Sequence, residues 1–326
     1  MAYTEIDKPS DYFNTVLYSG DNSTGRSITG VGFAVDFLWL KDRTTAGSAH
    51  FLSDTVRGDG KWLRTNGTFA ENTDTNVITS LDSDGFTVGN DVYSNKTGDN
   101  YVAWNWKESA TSGFDIVSFT GSGSQRTVSH NLGVKPSMII VKNRSATENW
   151  IVYDKINGAG NFMALNLTSA TAASSSMFGV EPTSSVFTVG TSNATNKSSS
   201  NMIAYCFAEK TGYSKISSYV GNGSTDGTFI YTGFKPAFIL IKNTNATQSW
   251  RLIDNKRFGY NVDNIQLYPN LTNAESTSET VADILSNGFK IRSTDAGVNG
   301  SGNTLIYMAF AESPFTTNTG IPTTAR

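Results

Sequence analysis

The chain is short of most residues that carry chemistry. Its one cysteine, Cys206, lies in the apolar run IAYCFAE. An intrachain disulfide is excluded, and the residue reads as a buried free thiol. There are 2 histidines, His50 and His130, with no cysteine beside them, which is too little for a structural zinc site. Charged residues make up 16%, against roughly 25% in an ordinary globular domain. A formal net charge of −3 supplies no pull toward nucleic acid. No apolar stretch approaches the roughly 18 residues of a membrane span. The opening MAYTEIDKPSDYF lacks the basic start and apolar core of a signal peptide, so the reading is a soluble protein made in a cytoplasm. Enzyme motifs are equally scarce. There is no G-x-S-x-G elbow, and RGDGKW at 57–62 lacks the glycine spacing and Ser/Thr of a phosphate loop. No catalytic residue, metal site or cofactor is expected, and the chain reads as no enzyme.

What is present is repetition. GVKPSMIIVKN at 133–143 returns as GFKPAFILIKN at 233–243, and DFLWLKD at 36–42 is a weaker third version. Each is followed by a strand ending in aspartate: HFLSD (50–54), WIVYD (150–154) and WRLID (250–254). Then come KWLRTN, NFMALN and IQLYPN, then GFTVG, VFTVG and GFKIR. Each copy closes on YVAWNWKE, MIAYCFAEK or LIYMAFAES. The same landmarks in the same order identify three copies of one unit.

Inside a copy the apolar period is mostly two, with Gly, Asn and Ser between short runs, which is the pattern of a β-sandwich. The expected fold is all-β, three tandem jelly-roll or lectin-like sandwiches of about 100 residues. The divisions are an arm at 1–13, a divergent first unit at 14–111, a second at 112–210, a third at 211–315 and a tail at 316–326. The continuous runs imply strands buried on both faces. Ile139, Val141, Ala204, Phe207, Ile239, Leu240, Ile241, Ala309 and Phe310 are the expected core. Pro136 and Pro236 are expected just before their strands. The only expected helix is 276–286, where Ser276 and Glu279 have capping-box spacing.

The segments IDKPSDYFNTVLYSGDNSTGRSITGVGFAVDFLWLKDR, DTVRG, SDGFTVG and YVAWNWK resemble a family of structural proteins of tailed bacteriophages, mainly marine ones such as cyanophages. The later GFKPAFILIKN and YMAFAE segments follow the same pattern, so the likeness covers nearly the whole chain. It implies a virion component, tail-fibre-like, with lectin-like sandwich domains. It supplies no catalytic or binding residues.

Candidate sites come from the residues. Asp54, Asp154 and Asp254 recur in the three copies, with Trp150 and Trp250 on the same strand faces. A tryptophan beside a carboxylate is a sugar platform in form. The competing reading is an Asx turn beside a core tryptophan. DSDG at 82–85 and the tripeptide Arg57-Gly58-Asp59 read as turns before a calcium loop or an adhesion signal. In the arm, Tyr3, Ile6, Tyr12 and Phe13 give an apolar pattern suited to attachment on a neighbouring virion protein. Loops 144–149, 191–200 and 244–249 would then face a ligand. The implied partners are other virion proteins and a host cell-surface polysaccharide, with the chain as a homotrimer in the virion and with no nucleic acid. The alternatives are a capsid or collar decoration and a polysaccharide depolymerase.

Overall fold

The computed structural model describes residues 4–257, 261 and 265–323. The fold is all-β. A single 3-10 turn, Pro9–Asp11, precedes the first strand. Unit 1 contains β1 (Phe13–Ser19), β2 (Arg26–Thr29), β3 (Phe37–Asp42), β4 (His50–Asp54), β5 (Lys61–Arg64), β6 (Asn72–Thr73), β7 (Ile78–Asp82), β8 (Gly85–Val88), α1 (Val92–Asn95) and β9 (Asn100–Trp106). Unit 2 contains β10 (Phe114–Thr120), β11 (Arg126–Ser129), β12 (Met138–Asn143), β13 (Ile151–Asp154), β14 (Asn161–Ala164), β15 (Ala172–Ala173), β16 (Val186–Val189), α2 (Asn193–Asn196) and β17 (Asn201–Phe207). Unit 3 contains β18 (Ser214–Val220), β19 (Phe229–Tyr231), β20 (Phe234–Asn243), β21 (Arg251–Asp254), β22 (Ala282–Leu285), β23 (Gly288–Ile291), α3 (Ala296–Asn299) and β24 (Thr304–Pro314).

The three large sheets share one order: β1-β9-β3-β4-β5-β6, β10-β17-β12-β13-β14-β15 and β18-β24-β20-β21. A small sheet accompanies each: β2-β8-β7, β11-β16 and β19-β23-β22. All pairings between these strands are antiparallel.

Strand alternation decides where each side chain goes. In β3, Leu38 and Leu40 join the core inside unit 1, while Phe37 and Trp39 join a second core. In β12, Ile139 and Val141 stay inside unit 2 while Met138 and Ile140 enter that second core. In β20, Ile239 and Ile241 stay inside unit 3 while Phe238 and Leu240 enter it. The central strands β9, β17 and β24 divide the same way, sending Trp104, Tyr205 and Met308 to it. This second core is therefore common to all three units. Each large sheet is buried on both faces, which is why its central strands read as unbroken apolar runs. The expected core residues are all buried, Leu240 and Phe310 in the shared core and Ile239 and Ala309 in their own unit.

Four expectations change. The units do not project from one another as separate sandwiches, because the face of each that would be bare is covered by the other two. The arm is not free for a partner. Ile6 and Phe13 are buried in the shared core and Tyr12 packs against it. Phe13 stands 4.8 Å from Trp106 and 5.4 Å from Phe310, centroid to centroid. Glu5 N–H bonds Thr211 O at 3.0 Å. Gly212, at φ +76, is what admits the arm, since a Cβ there would sit 2.1 Å from Thr4 Oγ1. Tyr3 lies outside the described residues. The third change is at 276–286, which holds no helix. Ser276 bridges Gln266, and Ala282–Leu285 pairs with Gly288–Ile291 around a two-residue turn. The LSNG turn and the hairpin it closes outweigh the capping-box spacing. Pro236 also lies within β20, at a bulge opposite Ala311, where its missing N–H is tolerated.

Candidate functional site

The aspartates proposed as a sugar platform are internal. Asp54, Asp154 and Asp254 are each at most 2% exposed, and Trp150 and Trp250 at most 1%. Each carboxylate folds the turn after its strand: Asp54 Oδ1 accepts Arg57 N–H at 2.8 Å, Asp154 Oδ1 accepts Asn157 N–H at 3.0 Å, and Asp254 Oδ1 accepts Arg257 N–H at 3.0 Å. That is the Asx-turn reading.

In Asp54 and Asp254 the outer oxygen reaches the next unit. Tyr205 of unit 2 donates to Asp54 at 2.7 Å, and Trp104 of unit 1 donates to Asp254 at 3.0 Å. The strand position of Trp104 and Tyr205 is held in unit 3 by Met308, which has no such donor. The indole of Trp150 donates to Arg64 O at 2.8 Å, and that of Trp250 to Ala164 O at 2.9 Å. The bonds run from unit 2 to 1, 3 to 2 and 1 to 3, so the three units close a ring.

Two junctions of the ring are ionic. At the first, Glu71 takes both Arg144 Nε at 2.8 Å and Arg57 Nη1 at 3.4 Å, and Arg57 also pairs with Asp54. At the second, Glu275 takes Arg43 Nε at 2.8 Å and Arg257 Nη1 at 3.2 Å, and Arg257 pairs with Asp254. The third junction is neutral at each matching position. Asn157 stands for the inner arginine, Thr171 for the glutamate and Thr244 for the outer arginine, with Thr171 N–H bonding Thr244 O at 2.9 Å. Asp154 remains there without a cation, and burial pushes its carboxyl above the usual range against the bonds from Asn157 and Ile156. Arg57, the arginine of the RGD tripeptide, has a fully buried side chain and is spent in this network.

A lysine from each central strand is buried beside a junction. Lys142 Nζ donates to Thr68 O at 3.1 Å, and Lys242 Nζ to Thr168 O at 2.8 Å. Burial lowers Lys41, Lys142 and Lys242 to about 8. The loops expected to face a ligand serve the same junctions: Glu148 N–H bonds Thr68 O, and Gln248 N–H bonds Thr168 O, each at 2.9 Å. Loop 191–200 holds α2, whose Asn196 bonds Gly190 O at 2.7 Å from a buried position. Asn95 and Asn299 repeat that bond to Gly89 O and Ser293 O.

The outward chemistry is in unit 1. Arg64 Cζ lies 4.9 Å from the Trp62 ring centroid, 5.5 Å from Phe69, 5.6 Å from Phe51 and 5.8 Å from Tyr93. Phe51 and Trp62 are buried, whereas Phe69 is 55% and Tyr93 39% exposed, with Val92 beside Tyr93 at 54%. Matching positions in unit 2 are Ile151, Phe162, Ala164, Ser169 and Ala194. Sequence reading missed this cluster because its members come from four separate landmarks. The signal was there: Arg64, Phe69 and Tyr93 stand where the second copy carries Ala164, Ser169 and Ala194. A second, polar cavity of about 390 Å³ is lined by Lys210, Thr211, Ser214, Lys215, Tyr231 and Thr232. Its lysines already face Glu5 and Glu209.

Three sheets around one core and self-satisfied junctions define an all-β protein built as one body. The chain belongs to the family described as Domain of unknown function (DUF7483), whose pattern matches residues 8–314. That match runs through all three units, as the shared core does. No curated protein matches the chain. No helix among the described residues is long and apolar enough to cross a membrane.

Proposed function

We propose that the chain is a tail-fibre-like structural component of a bacteriophage virion that touches host-surface glycan without catalysing a reaction. Two things support this reading. The sequence resembles phage structural proteins over nearly its whole length. The observation that carries the contact role is the Arg64 cluster. In a molecule whose repeated polar residues hold its own units together, unit 1 is the one unit among the described residues that presents a cation between outward-facing rings. Aromatic faces beside a hydrogen-bonding cation suit sugar contact.

Residence in the virion as a homotrimer belongs to the same reading. The test is a tagged chain located in particles by electron microscopy, with adsorption measured for particles lacking it. Location on the tail with impaired adsorption supports the reading. Location on the capsid or collar with normal adsorption replaces it with decoration. Release of reducing sugar from host envelope by the purified chain replaces it with a depolymerase.

A further inference from the structure

We infer that the Arg64 cluster is a binding site for one anionic saccharide residue, a carboxylated or sulfated sugar, per chain. The inference rests on the glycan-contact reading above and names its site and ligand charge.

The first ground is the state of the arginine. Among the described residues Arg64 has no ion pair or hydrogen bond from its guanidinium, and its Nε is buried without a partner. Arg64 is half-buried, and no described residue bonds its two terminal nitrogens. A guanidinium that meets only ring faces keeps its two terminal nitrogens as donors for a planar or tetrahedral anion.

The same place in unit 3 shows what a satisfied version looks like. There the pair is reversed: Arg251 replaces Phe51, and Tyr268 replaces Arg64, with Cζ 4.7 Å from the ring. Arg251 Nη2 is neutralised by Asp295 at 3.1 Å. That approach needs Gly297, whose added Cβ would lie 2.8 Å from Arg251 Nη2. Unit 1 has Tyr93 at the position of Gly297 and Asp91 at that of Asp295. Asp91 accepts Tyr93 N–H at 2.7 Å and is outside ion-pair distance of Arg64. Unit 2 has no cation here. One unit thus lacks the charge, one cancels it internally, and one leaves it open between exposed rings.

The walls are positioned. Phe69 follows Thr68, whose carbonyl is held by Lys142 Nζ at 3.1 Å and by Glu148 N–H at 2.9 Å. Gly67 makes room for the ring, since a Cβ there would lie 2.8 Å from Phe69 Cδ2. Tyr93 sits in the first turn of α1, capped by Asp91. A pyranose stacked on Phe69 or Tyr93 places an acidic substituent at the Arg64 nitrogens, combining apolar stacking with a charge-assisted bond.

The test is calorimetric titration of the full chain at low salt with tetragalacturonate, with a sulfated tetrasaccharide and with neutral cellotetraose. Binding of an acidic probe at one per chain, at least tenfold tighter than cellotetraose and weakened by salt, is expected. Arg64→Gln should lose at least tenfold, and Phe69→Ala about fivefold. Gly67→Ala, which displaces the Phe69 ring while leaving the arginine, should give a similar loss. Whichever acidic probe binds identifies the substituent. No binding of either acidic probe, or binding unchanged in both Arg64→Gln and Phe69→Ala, overturns the inference. Phe69 is exposed, so its variant stays informative if Arg64→Gln does not fold. Retained binding by the purified chain together with normal adsorption of particles lacking it would remove the functional reading and leave this site standing.

Discussion

Trp104 and Asp254 belong to the first and third units, 150 positions apart, and their side chains meet inside the molecule in a 3.0 Å hydrogen bond. The bond joins the first unit to the third. Its loss tests how much the closing junction matters. Trp104→Phe keeps a ring but removes the donor and leaves a void, with Asp254 held by Arg257. A loss of about 2–4 kcal/mol in denaturant unfolding is expected from cavity and hydrogen bond together. A loss below about 0.5 kcal/mol would mean the junction is dispensable.

The junctions should respond unequally to matching substitutions. Glu71→Ala strands Arg144, at 12% side-chain exposure, and leaves the buried Arg57 with Asp54 as its one carboxylate partner. Breaking such a pair from one side costs about 3–5 kcal/mol. Thr171→Ala, at the equivalent neutral place, removes no charge and should cost under about 1 kcal/mol. Equal losses from urea titration of the two variants would contradict the ionic-versus-neutral distinction.

Acid groups give a pH signature. Burial, then Asp115 and Asp36, raises Glu108 from its ordinary 4.5 to about 7, against a bond from Ile116 N–H. Glu209 and Glu312, its counterparts, have Lys155 and Lys235 as partners. Between pH 4.5 and 7 the folded chain holds a proton that the unfolded chain has lost. Stability from Glu108 is therefore complete below 4.5 and is lost as pH rises through 7. Asp154, also raised, adds a loss in the same direction that begins above its ordinary 3.8. Glu108→Gln can still accept the Ile116 N–H. It should be more stable than the native chain at pH 8 by about 1 kcal/mol after solvent screening, and should flatten the slope. The readout is melting temperature at pH 5 and 8. A slope unchanged by the substitution would reassign the effect.

The arm gives a fourth outcome. Ile6 is 5% exposed in the shared core, so Ile6→Ala should cost about 2–4 kcal/mol, whereas an arm reaching toward another protein would lose almost nothing as a free chain. Thermal unfolding of the purified variant decides it.

Much of the fold was legible because strand alternation leaves a mark. Phe37 to Leu40 are all apolar, and so are Met138 to Val141, which announces burial on both faces. What covers the second face was not legible. Trp150 reaches its acceptor in Arg64, 86 positions away, and no local pattern encodes that distance. The aspartates form a threefold set in the sequence, but an Asx turn and a sugar platform use the same residue at the same place. Burial alone separates them. The neutral junction did leave a signal, since Asn157, Thr171 and Thr244 lose charge together in the second and third copies. The hairpin at 282–291 was written in LSNG, which matches DSDG at 82–85, and the helical spacing of Ser276 and Glu279 hid it.

The central claim is that three units share one core and fold as one body. Differential scanning calorimetry of the chain tests it most directly. One transition, with van't Hoff and calorimetric enthalpies in agreement, is the predicted result. Separate transitions for the individual units, with Trp104→Phe shifting only one of them, would contradict it.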